Sequence, residues 1–173
     1  MKWWQDVDRL LARIPHAIVG GVASNSYMAP RFTADLDVAI PANLQGEAET
    51  RLGEGGWRRG EELDLNADSD LVGFAWHRAD GEDLDILSLN HPWAETALGE
   101  VTRVDGLPII SLPYLVLLKL SASRATDVAD LSRMLGKASQ REFQTVEKVV
   151  HRWRRSDLAD VAQLRQLGLL ERG

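Results

Sequence analysis

The chain has 173 residues, a hydrophobic fraction of 45%, a charged fraction of 27% and a net charge of −6, values that are typical of a globular protein of one domain. It contains no cysteine, which excludes disulfides and thiolate metal sites, and its acidic balance disfavours a dedicated duplex DNA-binding protein. The start of the chain lacks the uncharged core of a signal peptide and no apolar run approaches the length of a membrane span, so we expect a cytoplasmic protein.

The first half of the chain combines short strands with short helices. Apolar residues recur at helical spacing over 3–14, which predicts an amphipathic helix. Residues 72–76 alternate in polarity, Asp80-Gly81 is typical of a two-residue hairpin turn, and residues 82–89 form the returning strand. The other elements predicted here are a strand at 16–19, helices at 22–28 and 43–53 (the second capped by Asn43), a strand at 34–40, an extended segment at 57–65, a short helix ending near 99 and short strands between 100 and 110.

The second half is predicted to be helical. Residues 112–122 are apolar nearly all round, which indicates a buried helix with Ser111 as its cap and Lys119 as its only charge. Three more helices are predicted at 126–135, 143–153 and 157–167, with Thr126 capping the first and Gly136 ending it. This layout predicts a mixed α/β core over 1–110 and a helical part over 111–173 that packs on the core as one unit.

One stretch, residues 18–40, combines a glycine pair with a carboxylate pair. The Gly20-Gly21 pair lets the backbone approach a ligand closely and opens a helix whose free N–H groups can hold a phosphate, with the hydroxyl of Ser24 nearby. Asp35 and Asp37 are two residues apart on a strand, so both carboxylates face the same side. Two adjacent carboxylates repel each other unless a cation lies between them, and their oxygen ligands favour Mg²⁺ or Mn²⁺. The stretch therefore indicates nucleotide chemistry.

The returning strand of the hairpin offers a third carboxylate. Asp83 and Asp85 lie on the same face of this strand, and alternation alone does not choose between them. Asp85 lies deeper in the apolar run, where a carboxylate without a role would be costly, and it is the preferred candidate. Asp83 has an alternative interpretation as a solvent-facing residue near the turn.

Charged residues on the predicted helices can be explained by helix structure alone, and Lys119 has a functional interpretation as well. Lys119 either extends along the apolar surface with its charge in water or points into the acidic site to meet phosphate. Asp127 and Asp130 fall in the first turn of the next helix, where acidic residues suit the helix dipole.

The motif Val19-Gly20-Gly21, followed after about a dozen residues by Asp35-Leu36-Asp37 and then by an acidic strand, resembles the nucleotidyltransferase superfamily that shares the palm of DNA polymerase β. The pattern R-x-T-x-D-x-D over 31–37 and K-x4-R-x2-D-x2-D over 119–130 are similar to small prokaryotic nucleotidyltransferases of the AbiEii toxin type. The resemblance covers about residues 16–135. It implies an α+β fold, a palm with a mixed sheet and flanking helices followed by a helical part. Many members of the family have serine where this chain has Gly21.

The resemblance also implies a reaction, the transfer of a nucleoside monophosphate from an NTP to an acceptor hydroxyl. Asp35, Asp37 and Asp85 would bind two Mg²⁺ ions with the triphosphate, and Asp85 would help activate the hydroxyl. The other implied roles are phosphate binding by Gly20, Gly21, Ser24 and Lys119, phosphate binding or orientation of the acidic strand by Arg31, and contact of Asp127 with the base, the sugar or Lys119.

The resemblance leaves the acceptor open. It could be a tRNA 3′ end, a partner protein or a small molecule, and small proteins of this type often belong to toxin–antitoxin or phage-defence pairs. One alternative is an inactive binding module that acts through protein–protein contact, for which the N-terminal Trp3-Trp4 helix and the C-terminal helices offer surfaces. Another is an aminoglycoside-modifying nucleotidyltransferase, because an acidic protein suits a cationic substrate, although the chain is short for a separate substrate domain.

Overall fold

A mixed seven-stranded sheet forms the centre of the computed structural model, which describes residues 3–33, 35–65 and 70–171. The strands are β1 (Ala17–Ile18), β2 (Leu36–Pro41), β3 (Trp57–Glu62), β4 (Leu71–Arg78), β5 (Asp83–Leu89), β6 (Thr102–Val104) and β7 (Leu107–Ile109). The helices are α1 (Trp4–Leu10), α2 (Gly20–Ser24), α3 (Gln45–Glu54), α4 (Ala94–Gly99), α5 (Leu112–Ala122), α6 (Ala125–Lys137), α7 (Gln140–Trp153) and α8 (Leu158–Leu170). The strand order is β3-β4-β5-β2-β1-β7-β6.

The centre of the sheet is the parallel pair β2 and β5. Their register places Asp37 opposite Asp85 and Ile40 opposite Ser88. Strand β4 pairs with β5 as an antiparallel hairpin around Asp80-Gly81, as predicted. On the other side of β2, strand β1 pairs antiparallel with β2 and parallel with β7. This mixed sheet with flanking and C-terminal helices confirms the predicted α+β fold class.

Strand β2 is anchored because its apolar residues are buried: Leu36, Val38 and Ile40 are at most 2% exposed. The alternation of the strand then leaves Asp37 on the opposite face. The helix α5 spans the predicted range and is buried over nearly its whole length, and it shares one apolar core with β2. The carboxylate face of β2 therefore projects from a rigid part of the fold.

The helix after the glycine pair begins earlier than predicted. It spans Gly20–Ser24 instead of 22–28, because the N–H of Ala23 already donates to the carbonyl of Val19, and the chain continues in turns up to Met28. The first helix is also shorter than predicted, because α1 ends at Leu10 and turns follow before Pro15.

The predicted side-chain caps do not form. Ser111 occupies the N-cap position of α5, but Pro113 lacks an N–H donor and the N–H of Tyr114 donates to the backbone carbonyl of Ser111. Asn43 lies inside a short 3-10 helix, Ala42–Leu44, and α6 starts before Thr126. The first helical hydrogen bonds of α5 and α6 are accepted by the backbone carbonyls of Ser111 and Arg124, without a side-chain cap.

Gly136 does not end its helix, because α6 continues to Lys137. A Cβ atom at Gly136 would overlap the backbone of Gly168 in α8, and a Cβ at Gly168 would overlap the carbonyl of Ser132. The two glycines therefore let α6 and α8 cross with their backbones in contact. Among the described residues, no helix has the length and hydrophobicity that a membrane crossing needs.

Candidate active site

The glycine turn between β1 and α2 is packed directly against Asp37. Gly20 has a φ of +58°, and a Cβ atom there would overlap the Oδ2 atom of Asp37. The N–H of Gly21 donates a hydrogen bond to the same carboxylate. Glycine is therefore required at position 20 for two reasons, a left-handed backbone conformation and a close approach to a charged group.

The second glycine makes room for a hydroxyl. A Cβ at Gly21 would lie 2.5 Å from the Oγ1 atom of Thr33, which belongs to the loop before β2. The nearby Ser24 is fully buried, and its hydroxyl donates to the carbonyl of Gly20 at 2.8 Å. In the structure Ser24 thus holds the turn, and the hydroxyl of Thr33 lies against Gly21.

The structure places two of the three predicted carboxylates on one face of the sheet and the third just before it. Asp37 and Asp85 are register partners on β2 and β5, so their side chains point to the same side of the sheet. Asp35 lies one residue before β2 and is exposed, and its charge acts on both Asp37 and Asp85. Asp83, the alternative third carboxylate, is exposed and accepts a hydrogen bond of 2.7 Å from His77, whereas Asp85 lies beside Asp37.

Burial and mutual repulsion raise the pKa values of two of these groups. The pKa of Asp37 is raised by burial and then by the charge of Asp35, against the opposing effects of Arg124 and the Gly21 amide. Burial and then the charges of Asp37 and Asp35 raise the pKa of Asp85 to about 6. The positive groups near the two carboxylates therefore do not fully offset the effects of burial and of the neighbouring negative charge.

Lys119 lies in a buried ion-pair network beside the carboxylates. Its Nζ atom is 2.9 Å from Oδ1 of Asp127 and 2.9 Å from Oδ2 of Asp130. The three side chains are 5%, 3% and 1% exposed, in that order. The structure places Lys119 inside the protein, paired with both acids, rather than along the surface.

Arg31 joins the loop before β2 to this network. Its Nε and Nη2 atoms donate to the two carboxylate oxygens of Asp130 at 2.9 and 2.7 Å, a bidentate pair of the stronger kind. Asn25 holds the same residue through its backbone, donating to the Arg31 carbonyl and accepting from its N–H. Arg31 thus fixes the loop that leads to Asp35.

Arg124 belongs to the site, although the sequence interpretation did not single it out as a binding residue. It lies at the start of α6, donates to Asp127 at 2.7 Å, and its side chain is 59% exposed. Its charge lowers the pKa of Asp37. Unlike Lys119, it presents a cation toward solvent beside the carboxylates. Its place in the K-x4-R-x2-D segment was the available sequence signal.

A cavity of about 160 Å³ opens between the carboxylates and the helices. Gly20, Asp37, Asp85, Lys119 and Arg124 line its polar side. The other side is apolar, and its lining includes Leu63, Leu65, Leu71, Leu87, Leu115 and Leu118.

The donor set fits a divalent cation bound together with a ligand. The described residues contain no ready-made cluster of three or more metal-ligating side chains. However, burial and then repulsion from neighbouring carboxylates raise the pKa values of Asp37 and Asp85, and a cation between them would relieve that repulsion. Hard oxygen ligands of this kind suit Mg²⁺ or Mn²⁺, which in nucleotide sites also take phosphate oxygens and water as ligands.

Comparisons with known proteins agree with this architecture. No protein-family model and no curated protein sequence matches the chain. Among solved structures, an H. pylori protein assigned as a nucleotidyltransferase matches 95% of this chain and 80% of its own, with 18% identity and a TM-score of 0.50. ANT(2″)-Ia in complex with adenylyl-2″-tobramycin matches 99% of this chain and 98% of its own, with 18% identity and a TM-score of 0.52. A solution structure of the same antibiotic-resistance factor covers 95% and 88%, with 16% identity and a TM-score of 0.50. The chain therefore has the fold of these nucleotidyltransferase structures, as the sequence resemblance implied.

Proposed function

We propose that the protein transfers a nucleoside monophosphate from an NTP to an acceptor hydroxyl, with Mg²⁺ or Mn²⁺ as cofactor. The observation that carries this proposal is the pairing of Asp37 with Asp85 on adjacent parallel strands, directly beside the Gly20-Gly21 turn. The fold shared with nucleotidyltransferase structures supports it.

Each residue of the site has a role in this reaction. Asp35, Asp37 and Asp85 would hold the divalent cations, which supply charge neutralisation at the attacking and leaving oxygens. Asp85, a half-buried carboxylate beside Asp37, would also accept the proton of the acceptor hydroxyl.

The cations of the site divide into exposed and buried groups. Arg124 is exposed beside the glycine turn and would compensate the charge of the triphosphate, as arginine does at many phosphate sites. Lys119 and Arg31 hold Asp127 and Asp130 in place, and through them the loop that precedes Asp35. The charges of these two cations and two carboxylates cancel, so Lys119 and Arg31 would serve the site mainly by holding this loop in place.

For the acceptor, the finer proposal is a tRNA 3′ end or a partner protein, within a toxin–antitoxin or phage-defence pair of the AbiEii type. The exposed basic side chains of α7, namely Arg141, Lys148 and Arg152, offer positive charge to a nucleic acid or an acidic protein. A growth assay tests the biological part, because normal growth on overexpression counts against a toxin.

A small-molecule acceptor is the second candidate, favoured by the small and partly apolar cavity beside Asp85. A structural neighbour, ANT(2″)-Ia, was solved with an adenylylated aminoglycoside, so a fold of this kind accommodates a small acceptor. The two candidates differ in the size of the product that carries the nucleotide.

The experiment is incubation of the protein with each α-labelled NTP and Mg²⁺ or Mn²⁺, in the presence of tRNA, cell protein or a small-molecule extract. We expect label transfer by the native protein and none by Asp37→Asn. Asp105→Asn, which changes an exposed aspartate outside the cavity lining, is the control and should keep full transfer. Absence of transfer together with absence of Mg²⁺-dependent NTP binding in calorimetry would instead support the inactive binding module.

A further inference from the structure

Four leucines line the apolar side of the cavity, and we call them the leucine wall: Leu63, Leu65, Leu71 and Leu87. Leu87 follows Asp85 on the same face of β5, and its register partner on β4 is Gly73. A Cβ at Gly73 would lie 2.7 Å from Leu87 Cδ2, 2.9 Å from Leu63 Cδ1 and 3.0 Å from Leu65 Cδ1. The missing side chain at Gly73 therefore lets three leucines converge next to Asp85.

The leucine wall and the glycine turn lie on opposite sides of the carboxylate pair. In the strand order β3-β4-β5-β2-β1, the turn follows β1 and borders Asp37 on β2. The wall is built from β5, β4 and the segment after β3, and it borders Asp85. Across the sheet the order is thus glycine turn, Asp37, Asp85 and leucine wall.

The geometry of nucleotidyl transfer indicates on which side of the reacting phosphorus the acceptor must lie. The attacking and leaving oxygens lie roughly in line on opposite sides of the reacting phosphorus. Arg124, which lies beside Asp37 and lines the cavity, offers an exposed cationic group suited to the leaving pyrophosphate. The acceptor oxygen then approaches from the other side, past Asp85, where it loses its proton to that carboxylate and forms the new P–O bond as the bond to pyrophosphate breaks.

We infer that the leucine wall is the acceptor site, and that the acceptor is a small hydroxyl compound with an apolar portion that packs on these leucines. The inference rests on the proposed function and selects the second acceptor candidate, a small molecule, over a tRNA or a partner protein. A polycationic aminosugar would need a carboxylate for each buried charge, whereas among the described residues that line this side the acidic group is Asp64. A cavity of about 160 Å³ suits part of a small molecule.

Two probes with the same hydroxyls test the inference: n-hexyl β-D-glucoside and methyl β-D-glucoside. Each is titrated into the full chain, saturated with Mg²⁺ and a non-hydrolysable ATP analogue, with ¹³C-labelled leucine methyl groups observed by NMR. We expect the hexyl compound to bind at least tenfold more tightly, which corresponds to burial of about two methylene groups, and to shift the methyl signals of Leu65 and Leu87.

A substitution at Gly73 tests the leucine wall separately from the nucleotide site. Gly73→Ala would displace the flexible ends of three leucines next to the cavity. The backbone conformation of Gly73, which lies in a strand, is open to other residues. We expect hexyl glucoside to bind about five- to tenfold more weakly to Gly73→Ala, with the affinity for the ATP analogue unchanged within twofold. Gly46→Ala, where a Cβ meets nothing within 4 Å, is the matched control and should leave both affinities unchanged.

The outcomes separate this inference from the proposed function. Failure of the ATP analogue to bind with Mg²⁺ overturns the proposed function, and the inference with it. Normal analogue binding with equal affinities for the two glucosides, or with methyl shifts outside the wall, overturns the inference alone. Competition between hexyl glucoside and the analogue would assign the wall to the nucleobase and also overturn it.

Discussion

Asp37 and Asp85 are register partners on adjacent parallel strands, and burial with repulsion from neighbouring carboxylates raises the pKa of both carboxyl groups. In the metal-free protein this arrangement costs stability at neutral pH. The ordinary pKa of an aspartate in an unfolded chain is about 3.9. Because the folded pKa of Asp85 is higher, at about 6, its contribution to stability is fully present below about pH 4 and is lost as the pH rises through 6.

The first prediction is that Asp85→Asn stabilises the metal-free protein at pH 7.5 but not at pH 4. A shift of about two pKa units corresponds to about 3 kcal/mol, which screening by water at this half-buried group reduces to about 1–2 kcal/mol. The melting temperature at pH 7.5 should therefore rise by about 3–6 °C. Thermal unfolding in EDTA at both pH values measures this, and a melting temperature that falls equally at both would show that Asp85 is a packing residue only.

The second prediction concerns proton release on metal binding. At pH 6 the carboxyl of Asp85 is about half protonated, and a divalent cation requires the carboxylate form. Binding of Mg²⁺ with the non-hydrolysable ATP analogue should release about half a proton from this group at pH 6 and almost none at pH 8. Calorimetry in two buffers of different ionisation enthalpy measures the release. Asp85→Asn is the control, and an identical release from this variant would contradict the assignment.

The third prediction is that Gly20→Ala abolishes nucleotide transfer and destabilises the fold. Alanine at this position would overlap Asp37 and would adopt a left-handed backbone conformation, and strain of this kind costs about 1–3 kcal/mol or more. Gly46→Ala lies in a helix with open space around it and should raise stability by about 0.5–1 kcal/mol. Urea unfolding of both variants checks the contrast, and equal stability of the two would contradict the described turn.

Local sequence patterns predicted the elements that carry the site. Alternation identified the faces of β2 and β5, and Asp80-Gly81 identified the hairpin. In both cases the signal is local, since the period of the strand decides which residues share a face.

The features that local patterns did not predict depend on contacts between distant residues. Arg31 and Asp130 are separated by 99 positions, so no local spacing indicates their ion pair. Gly136 carries the usual signal of a helix end, yet its role is the crossing with α8. The role of Gly73 likewise depends on the tertiary structure, because leucines that are distant in sequence pack in the space left by its missing side chain.

The fourth prediction distinguishes the structural role of Lys119 from phosphate binding. Lys119→Met would leave Asp127 and Asp130, both almost fully buried, with one arginine partner each. Removing one member of a buried ion-pair network costs about 3–5 kcal/mol, and we expect a loss near the lower value because the arginines remain. Urea unfolding provides the measurement. Unchanged stability with a raised KM for NTP would show that Lys119 acts on phosphate instead.

The fifth prediction is that Arg124 is the cation that the triphosphate meets. Its side chain is 59% exposed and lies beside Asp37, whereas that of Lys119 is 5% exposed and already paired with two carboxylates. Asp127 is almost fully buried but keeps its ion pair with Lys119, so Arg124→Ala should still fold, with some loss of stability. Loss of a charge-assisted contact to phosphate, at about 1.5–3 kcal/mol, should raise KM for NTP by about 10- to 100-fold.

Two comparisons make this last prediction specific. Arg124→Lys keeps the charge but not the paired N–H geometry, so it should recover only part of the lost affinity. Arg141→Ala removes an exposed arginine from the start of α7 and should leave KM unchanged. Because Arg124 lowers the pKa of Asp37, its removal should also move the acidic limb of the pH–rate profile to higher pH. A variant with normal KM and an unshifted profile would exclude Arg124 from the site.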